Sequence, residues 1–211
     1  MKKGMRNWLI SAGICGGLFL LLIVLLLTVD VGYAVPQAPV GLSTVNGFVF
    51  EAIGENPEWE MVSFVLLIIS LLLMCAQGLC IFIKMIRTRK LWEMVAVGHA
   101  WLLALVFYIL FEFCIVNYRP ILEDGELAAS FPSSHTLIAV VLFGVMAVWL
   151  AYLLPRSVKK YVIIALLGAA AFVSALARLM VGVHWLTDVL GGMLLGGVPG
   201  VPKANVVIIG A

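Results

Sequence analysis

Long apolar runs alternate with short polar segments along this chain of 211 residues. Five of the runs contain about as many residues as a helix needs to cross the ~30 Å hydrocarbon core of a bilayer, roughly 20. The helices predicted from them cover 8–28, 61–85, 92–116, 135–154 and 161–180, and a sixth begins near Trp185. The pattern therefore predicts a bundle of helices that cross a membrane.

Composition supports the same class. The chain is 64% hydrophobic and 11% charged, with a mean hydropathy of +1.18, whereas a soluble domain carries roughly 25% charged residues. We therefore predict an all-α, polytopic membrane protein with a six-transmembrane-helix bundle, surrounded by the bilayer and without a nucleic-acid partner. A cleaved signal peptide is the competing interpretation of the first run, but its apolar region would be roughly 7–15 residues long.

The sixth run is short. Residues 186–198 form about 20 Å of helix, less than the ~30 Å that a span requires. We expect a transmembrane domain over 1–198, with a truncated sixth helix, and an atypical tail over 199–211. Residues 196–211 resemble a segment of alanine dehydrogenases; a truncated or fused terminus accounts for this, with chance apolar similarity as the alternative.

Basic residues divide the loops between two sides. The N-terminus and the 86–91 and 155–160 loops are basic, whereas residues 29–60 contain five acidic residues and no Lys or Arg. By the positive-inside rule the basic loops are cytoplasmic. We therefore expect a cytoplasmic N-terminus in a cell membrane, with 29–60, 117–134 and 179–185 on the outer side. A short interfacial helix is expected near 45–53, and the acidic 51–60 segment is expected to be a solvated loop.

The candidate chemistry starts with His184 and Asp188. They lie four residues apart, so on a helix they share a face and can touch. A carboxylate beside an imidazole fixes its tautomer and supports the positive charge gained in a reaction. Arg178 precedes His184 across Gly182, which permits a turn, and an arginine can hold two oxygens of a phosphate.

A second set of polar residues flanks the fourth helix. Arg119 follows the third helix, and Ser133, Ser134 and His135 stand where the fourth begins. Backbone N–H groups and hydroxyls at a helix N-terminus can hold an anion. One histidine as nucleophile, another as proton donor and cations for the phosphoryl oxygens would suffice for covalent phosphoryl transfer.

These residues resemble the type-2 phosphatidic acid phosphatases, which share a core with vanadium-dependent haloperoxidases. The family pattern is K-x6-RP, then PSGH, then SR-x5-H-x3-D. This chain has Arg119-Pro120, then Pro132-Ser133-Ser134-His135, then Arg178-x5-His184-x3-Asp188. The order of the blocks and the layout of the helices also match.

The resemblance implies a role for each matching residue. His184 would attack phosphorus, Asp188 would orient it, and His135 would protonate the leaving oxygen and then activate water. The phosphate would be held by Arg119, Arg178, Ser133 and the Ser134 backbone. The resemblance implies no metal and no other cofactor.

Three positions depart from the family pattern. Glu112 stands where the family has lysine, Ala177 replaces a serine and Ser134 replaces a glycine. Glu112 is a candidate tuning residue, and our hypothesis is that it pairs with Arg119 or Arg178.

Two principal hypotheses of function follow. The first is an integral membrane phosphatase that hydrolyses a lipid phosphate monoester or diphosphate through a phosphohistidine. The second is a catalytically impaired protein of the same fold that binds a lipid phosphate or a protein partner. A transporter is a weaker third hypothesis, because no second polar helix suggests a path across the membrane.

Overall fold

The computed structural model describes residues 3–34, 38–122 and 125–198. The helices in this part of the chain are α1 (Lys3–Thr28), α2 (Ser43–Ile53), α3 (Trp59–Thr88), α4 (Trp92–Phe113), α5 (Ser134–Leu153), α6 (Val158–Met180) and α7 (Leu186–Gly197). Five of them, α1, α3, α4, α5 and α6, are long and apolar enough to cross a membrane. The all-α, multi-pass membrane class predicted from the sequence is therefore confirmed.

The sixth apolar segment is the shorter α7, which has 12 residues. It packs against α1, α5 and α6. The atypical tail predicted over 199–211 lies outside the described residues.

Helix α5 is the centre of the bundle. It packs against α3, α4, α6 and α7, and its buried side chains include Leu137, Val141 and Phe143. Half of its most apolar stretch is buried inside the protein, against 11–22% for the other four long helices. Because lipid can cover apolar faces as well as protein can, the outer helices expose large apolar side chains.

The segment between α1 and α3 is more ordered than the predicted loop. An antiparallel hairpin pairs β1 (Gly32–Ala34) with β2 (Ala38–Val40), and α2 confirms that a helix covers the residues near 45–53. Asn46 of α2 is buried; its side-chain amide donates to Thr187 Oγ1 at 2.9 Å, and its carbonyl oxygen accepts from the Thr187 backbone N–H at 3.2 Å. Helix α2 thereby covers the beginning of α7.

Two lysines lie at the end of the bundle where α3 and α5 terminate, and one of them binds free helix carbonyl oxygens. Lys160 Nζ donates hydrogen bonds to the carbonyl oxygens of Ala151 and Leu154, at the end of α5. Lys84 forms an ion pair with Glu93 near the α3–α4 turn. A cation near a helix C-terminus is favourable because the last carbonyls carry negative partial charge.

Candidate active site

The N-termini of α5 and α7 meet at the candidate site. The Ser133 backbone N–H donates to the Asp188 backbone oxygen at 3.0 Å. The close approach requires glycine in α7, because a Cβ on Gly192 would lie 2.7 Å from the backbone oxygen of Ser133. Two helix N-termini, each with positive partial charge, therefore point toward one region, an arrangement that favours an anion.

His184 lies in the turn between α6 and α7 and is only 3% exposed. Its Nδ1 lies 3.7 Å from Asp188 Oδ2, close enough for charge interaction but too far for a normal hydrogen bond. The sixth helix was predicted to begin near Trp185, and α7 begins at Leu186. His184 therefore precedes the helix, and the N-terminal turn of α7 brings the Asp188 carboxylate to the imidazole.

Asp188 is anchored through one carboxylate oxygen. It is fully buried, and its Oδ2 accepts a hydrogen bond from the Trp185 backbone N–H at 2.8 Å. The Ser130 hydroxyl lies 2.6 Å from the same oxygen and 3.1 Å from the Tyr118 carbonyl oxygen. Sequence reasoning missed Ser130, which belongs to none of the recognised blocks and lies 58 positions from Asp188.

Burial lowers the pKa of His184 below its ordinary value of 6.5, because a buried imidazolium loses its hydration. Asp188 acts in the opposite direction and raises that pKa, whereas the positive charges of Arg178 and Arg119 lower it further. The burial effect is the largest, so His184 is neutral at pH 7. A neutral imidazole has a lone pair with which it can act as a nucleophile.

The loop between α4 and α5 is anchored to α7. Trp185 Nε1 donates to the Tyr118 carbonyl oxygen at 2.7 Å. Within the loop, the Arg119 backbone N–H donates to the Ala128 oxygen at 3.1 Å, and Arg119 Nε lies 3.3 Å from the Ala129 oxygen. Arg119 is thus fixed above the turn that contains His184.

A single cavity unites residues from three sequence blocks. Arg119, Ser134 and His184 all contribute to its wall, together with Glu112. The rest of the wall is mostly apolar, and consists of Phe107, Tyr108, Phe111, Ala128, Ala129, Ser130, Phe131, Pro132 and Leu137. The structure therefore brings a guanidinium, a helix N-terminus and an imidazole to one opening.

Three other predicted residues, Ser133, His135 and Arg178, do not contribute to this wall. Ser133 is fully buried, and its hydroxyl oxygen accepts from Thr136 Oγ1 at 3.1 Å. Since the Ser133 backbone N–H is bonded to Asp188, only its hydroxyl hydrogen remains for an anion. His135 lies in the first turn of α5 and is half-buried.

Arg178 is buried at 4% exposure. Its Nη1 donates to Glu60 Oε1 at 3.2 Å, an ion pair that joins the end of α6 to the first turn of α3. The expectation that 51–60 is a solvated loop is wrong for 51–53, which end α2, and for Glu60, which lies in the first turn of α3. The pairing of Glu112 with Arg119 or Arg178 stays a prediction. Gly182 has a φ of +84° and makes the turn predicted there.

No group of three or more His, Cys, Asp or Glu residues in 3–34, 38–122 and 125–198 lies close enough to hold a metal ion.

Comparison with known proteins agrees with this arrangement. The model of the PAP2 superfamily matches residues 66–201, more than half of the chain. The chain belongs to this superfamily. The match contains every residue of the three sequence blocks, and the predicted resemblance is confirmed.

Two matches come from Bacillus subtilis, one to a curated protein and one to a crystal structure. Phosphatidylglycerophosphatase B of strain 168 is 35% identical over 81 residues, which are 38% of this chain and 39% of that protein; the match therefore spans about two fifths of the relative's length. The crystal structure described as the first transmembrane PAP2-type phosphatidylglycerolphosphate phosphatase from that organism superposes with a TM-score of 0.62. The superposition covers 90% of this chain and 92% of that one at 23% identity, which establishes a shared fold.

Proposed function

We propose that this chain is an integral membrane phosphatase that hydrolyses a lipid phosphate monoester or diphosphate through a phosphohistidine intermediate. The observation that carries the proposal is the shared cavity of Arg119, Ser134 and His184. A guanidinium and a helix N-terminus bind phosphoryl oxygens, and a neutral imidazole beside them can attack phosphorus. Membership of the PAP2 superfamily supports the same chemistry.

A second cavity supports a lipid as the substrate. It lies between α3, α4 and α5, and its wall is apolar and aromatic: Leu71, Met74, Trp101, Leu102, Ala104, Leu105, Tyr108, Ile138 and Leu142. Tyr108 belongs to the walls of both cavities. A hydrocarbon chain in the apolar cavity would therefore extend past Tyr108 and place its phosphate beside His184.

The proposed reaction has two steps. In the first, the Nε2 lone pair of His184 attacks phosphorus, an N–P bond forms, and the bond from phosphorus to the ester oxygen breaks. His135 gives its proton to the departing oxygen. The carboxylate of Asp188, on the Nδ1 side of the ring, stabilises the positive charge of the phosphorylated imidazole.

In the second step, His135 takes a proton from water while the water oxygen attacks phosphorus. The N–P bond breaks, inorganic phosphate leaves and His184 regains its lone pair. Arg119, Arg178, the Ser133 hydroxyl and the Ser134 backbone N–H hold the equatorial oxygens in both steps. Neither step uses a metal ion.

We place the site on the outer side of the plasma membrane, with the N-terminus in the cytoplasm. The basic residues of the α3–α4 and α5–α6 turns support this orientation, because the site lies at the opposite ends of these helices. Reporter fusions after Arg89 and within 121–127 would test it. A periplasmic or extracellular signal from the first fusion would contradict the orientation.

The direct test of function is release of phosphate from short-chain phosphatidic acid and from an isoprenyl diphosphate, in detergent with EDTA. The parent protein should release phosphate and retain an acid-labile phosphoryl label after rapid quenching. The His184→Ala protein should do neither. Release by His184→Ala at the parent rate would exclude the phosphohistidine.

A second candidate is a protein of this fold that binds lipid phosphate without turnover. Glu112 and Ala177 favour it, because both positions depart from the family pattern, which has lysine and serine there. Saturable binding of phosphatidic acid by the parent without phosphate release would select this candidate.

A further inference from the structure

Glu112 occupies an unusual position in the cavity. It lies in the last turn of α4, where the carbonyl ends of the helix disfavour a negative charge. It nevertheless shares the cavity wall with Arg119 and His184. Glu112 is thus a carboxylate at the carbonyl end of its helix, in the same wall as groups that bind anions. This position makes it a candidate for a functional role.

The position of Tyr108 indicates what Glu112 would contact. Tyr108 precedes Glu112 by one helical turn, so the two side chains lie on the same face of α4. Tyr108 also marks the junction between the polar and the apolar cavity. Glu112 therefore lies beside the linkage that joins a bound phosphate to its hydrocarbon chain.

That linkage differs between the two substrate classes left open above. In a phosphate monoester, the atom beyond the scissile oxygen is a neutral carbon. In a diphosphate, it is a second phosphorus with charged oxygens. The carboxylate of Glu112 would repel both phosphates of a diphosphate but only the one phosphate of a monoester, so it would weaken binding of the diphosphate more.

We propose that Glu112 is a specificity-determining residue that selects lipid phosphate monoesters over lipid diphosphates. This inference rests on the proposed function, because it assumes that the substrate phosphate lies between Arg119 and His184. It narrows the substrate class without altering the reaction steps.

Binding can test the selection without turnover. Dissociation constants of an alkyl phosphate and an alkyl diphosphate of equal chain length would be measured with the His184→Ala protein. Glu112→Gln and Glu112→Lys would be added to that background. Glu51→Lys is the matched control for Glu112→Lys. It makes the same charge change at an exposed side chain of α2, outside the cavity wall.

We expect the His184→Ala protein to bind the monophosphate more tightly. Glu112→Lys should shift the ratio of dissociation constants toward the diphosphate by about tenfold or more, with Glu112→Gln intermediate and Glu51→Lys unchanged. An unchanged ratio in both folded Glu112 variants, or an equal shift in Glu51→Lys, would overturn the proposal. Absence of phosphate release by the parent would refute the proposed function alone, because the binding ratio does not depend on turnover.

Discussion

Arg178 Nη1 donates a hydrogen bond to Glu60 Oε1 across 118 positions of sequence. The arginine is buried and the Glu60 side chain is 58% exposed, so a candidate phosphate ligand is oriented from the rim of the site. An exposed ion pair contributes little to stability. Its importance here would lie in fixing the direction of the guanidinium.

Removing this partner should weaken substrate binding. We expect Glu60→Ala to lower kcat/KM about tenfold, mainly through KM, since a hydrogen bond to a charged group contributes roughly 1.5–3 kcal/mol. Glu60→Gln keeps an acceptor oxygen and should lose less. Steady-state phosphate release measures both, with Glu58→Ala, an exposed neighbour, as the control.

Equal effects of Glu60→Ala and Glu58→Ala would contradict a positioning role for Glu60. They would indicate that only the negative charge of the rim matters.

Ser130 should matter through Asp188. Ser130→Ala removes the hydroxyl that lies 2.6 Å from Asp188 Oδ2, which leaves a buried carboxylate with one donor fewer. We expect kcat to fall about tenfold with little change in KM, because the carboxylate would be less firmly placed beside His184. Ser70→Ala is the matched control: Ser70 is also buried, but its hydroxyl donates to Leu67 within α3. A rise in KM with an unchanged kcat would argue against this role.

The site was predictable from sequence where it depends on local spacing. Arg178, His184 and Asp188 lie within one short stretch, and Ser133, Ser134 and His135 lie at one helix start, so their proximity needs no tertiary information. Ser130 and Glu60 reach the site only through the packing of the α4–α5 loop and of α3, which no spacing encodes.

The helices were predictable for a similar reason. Their lengths follow from the bilayer thickness and from the apolar runs, and the ends of α4 and α5 lie within three residues of the prediction. The hairpin of β1 and β2 was not predicted, because strands of three residues with Pro39 in one of them have no alternating pattern to read.

The pH dependence of kcat/KM should show that the pKa of His184 is lowered. His184 must be neutral to attack, and burial lowers its pKa, so the acidic limb of kcat/KM should lie below pH 6.5. Asp188 raises that pKa, and Asp188→Asn should therefore move the limb to still lower pH while reducing kcat at least about a hundredfold. Asp30→Asn is the control, because Asp30 also accepts a backbone N–H but lies at the start of α2. A limb above pH 6.5 would contradict a neutral buried His184.

Stability should follow the same titration. Below pH 6.5, His184 binds a proton in the unfolded chain but not in the folded protein. Proton binding therefore stabilises the unfolded state. The contribution of His184 is thus fully present above pH 6.5 and is lost as pH falls toward the depressed pKa. Unfolding in detergent between pH 7 and 5 should show a smaller loss for His184→Gln than for the parent. Parallel curves would indicate that the pKa of His184 is the same in the folded and the unfolded state.

The contact between α5 and α7 should tolerate no added methyl group at Gly192. A Cβ there would lie 2.7 Å from the backbone oxygen of Ser133 and 2.9 Å from Thr136 Cβ. Both helices begin at the site. We expect Gly192→Ala to cost about 1–3 kcal/mol of stability and to lower kcat tenfold or more, since Asp188 and the N-terminus of α5 would be pushed apart. Gly144→Ala in α5 is the matched control, because its Cβ would meet no described atom within 4 Å. Thermal unfolding and phosphate release would be measured for both variants. Full activity of Gly192→Ala would show that this contact is not needed to align the site.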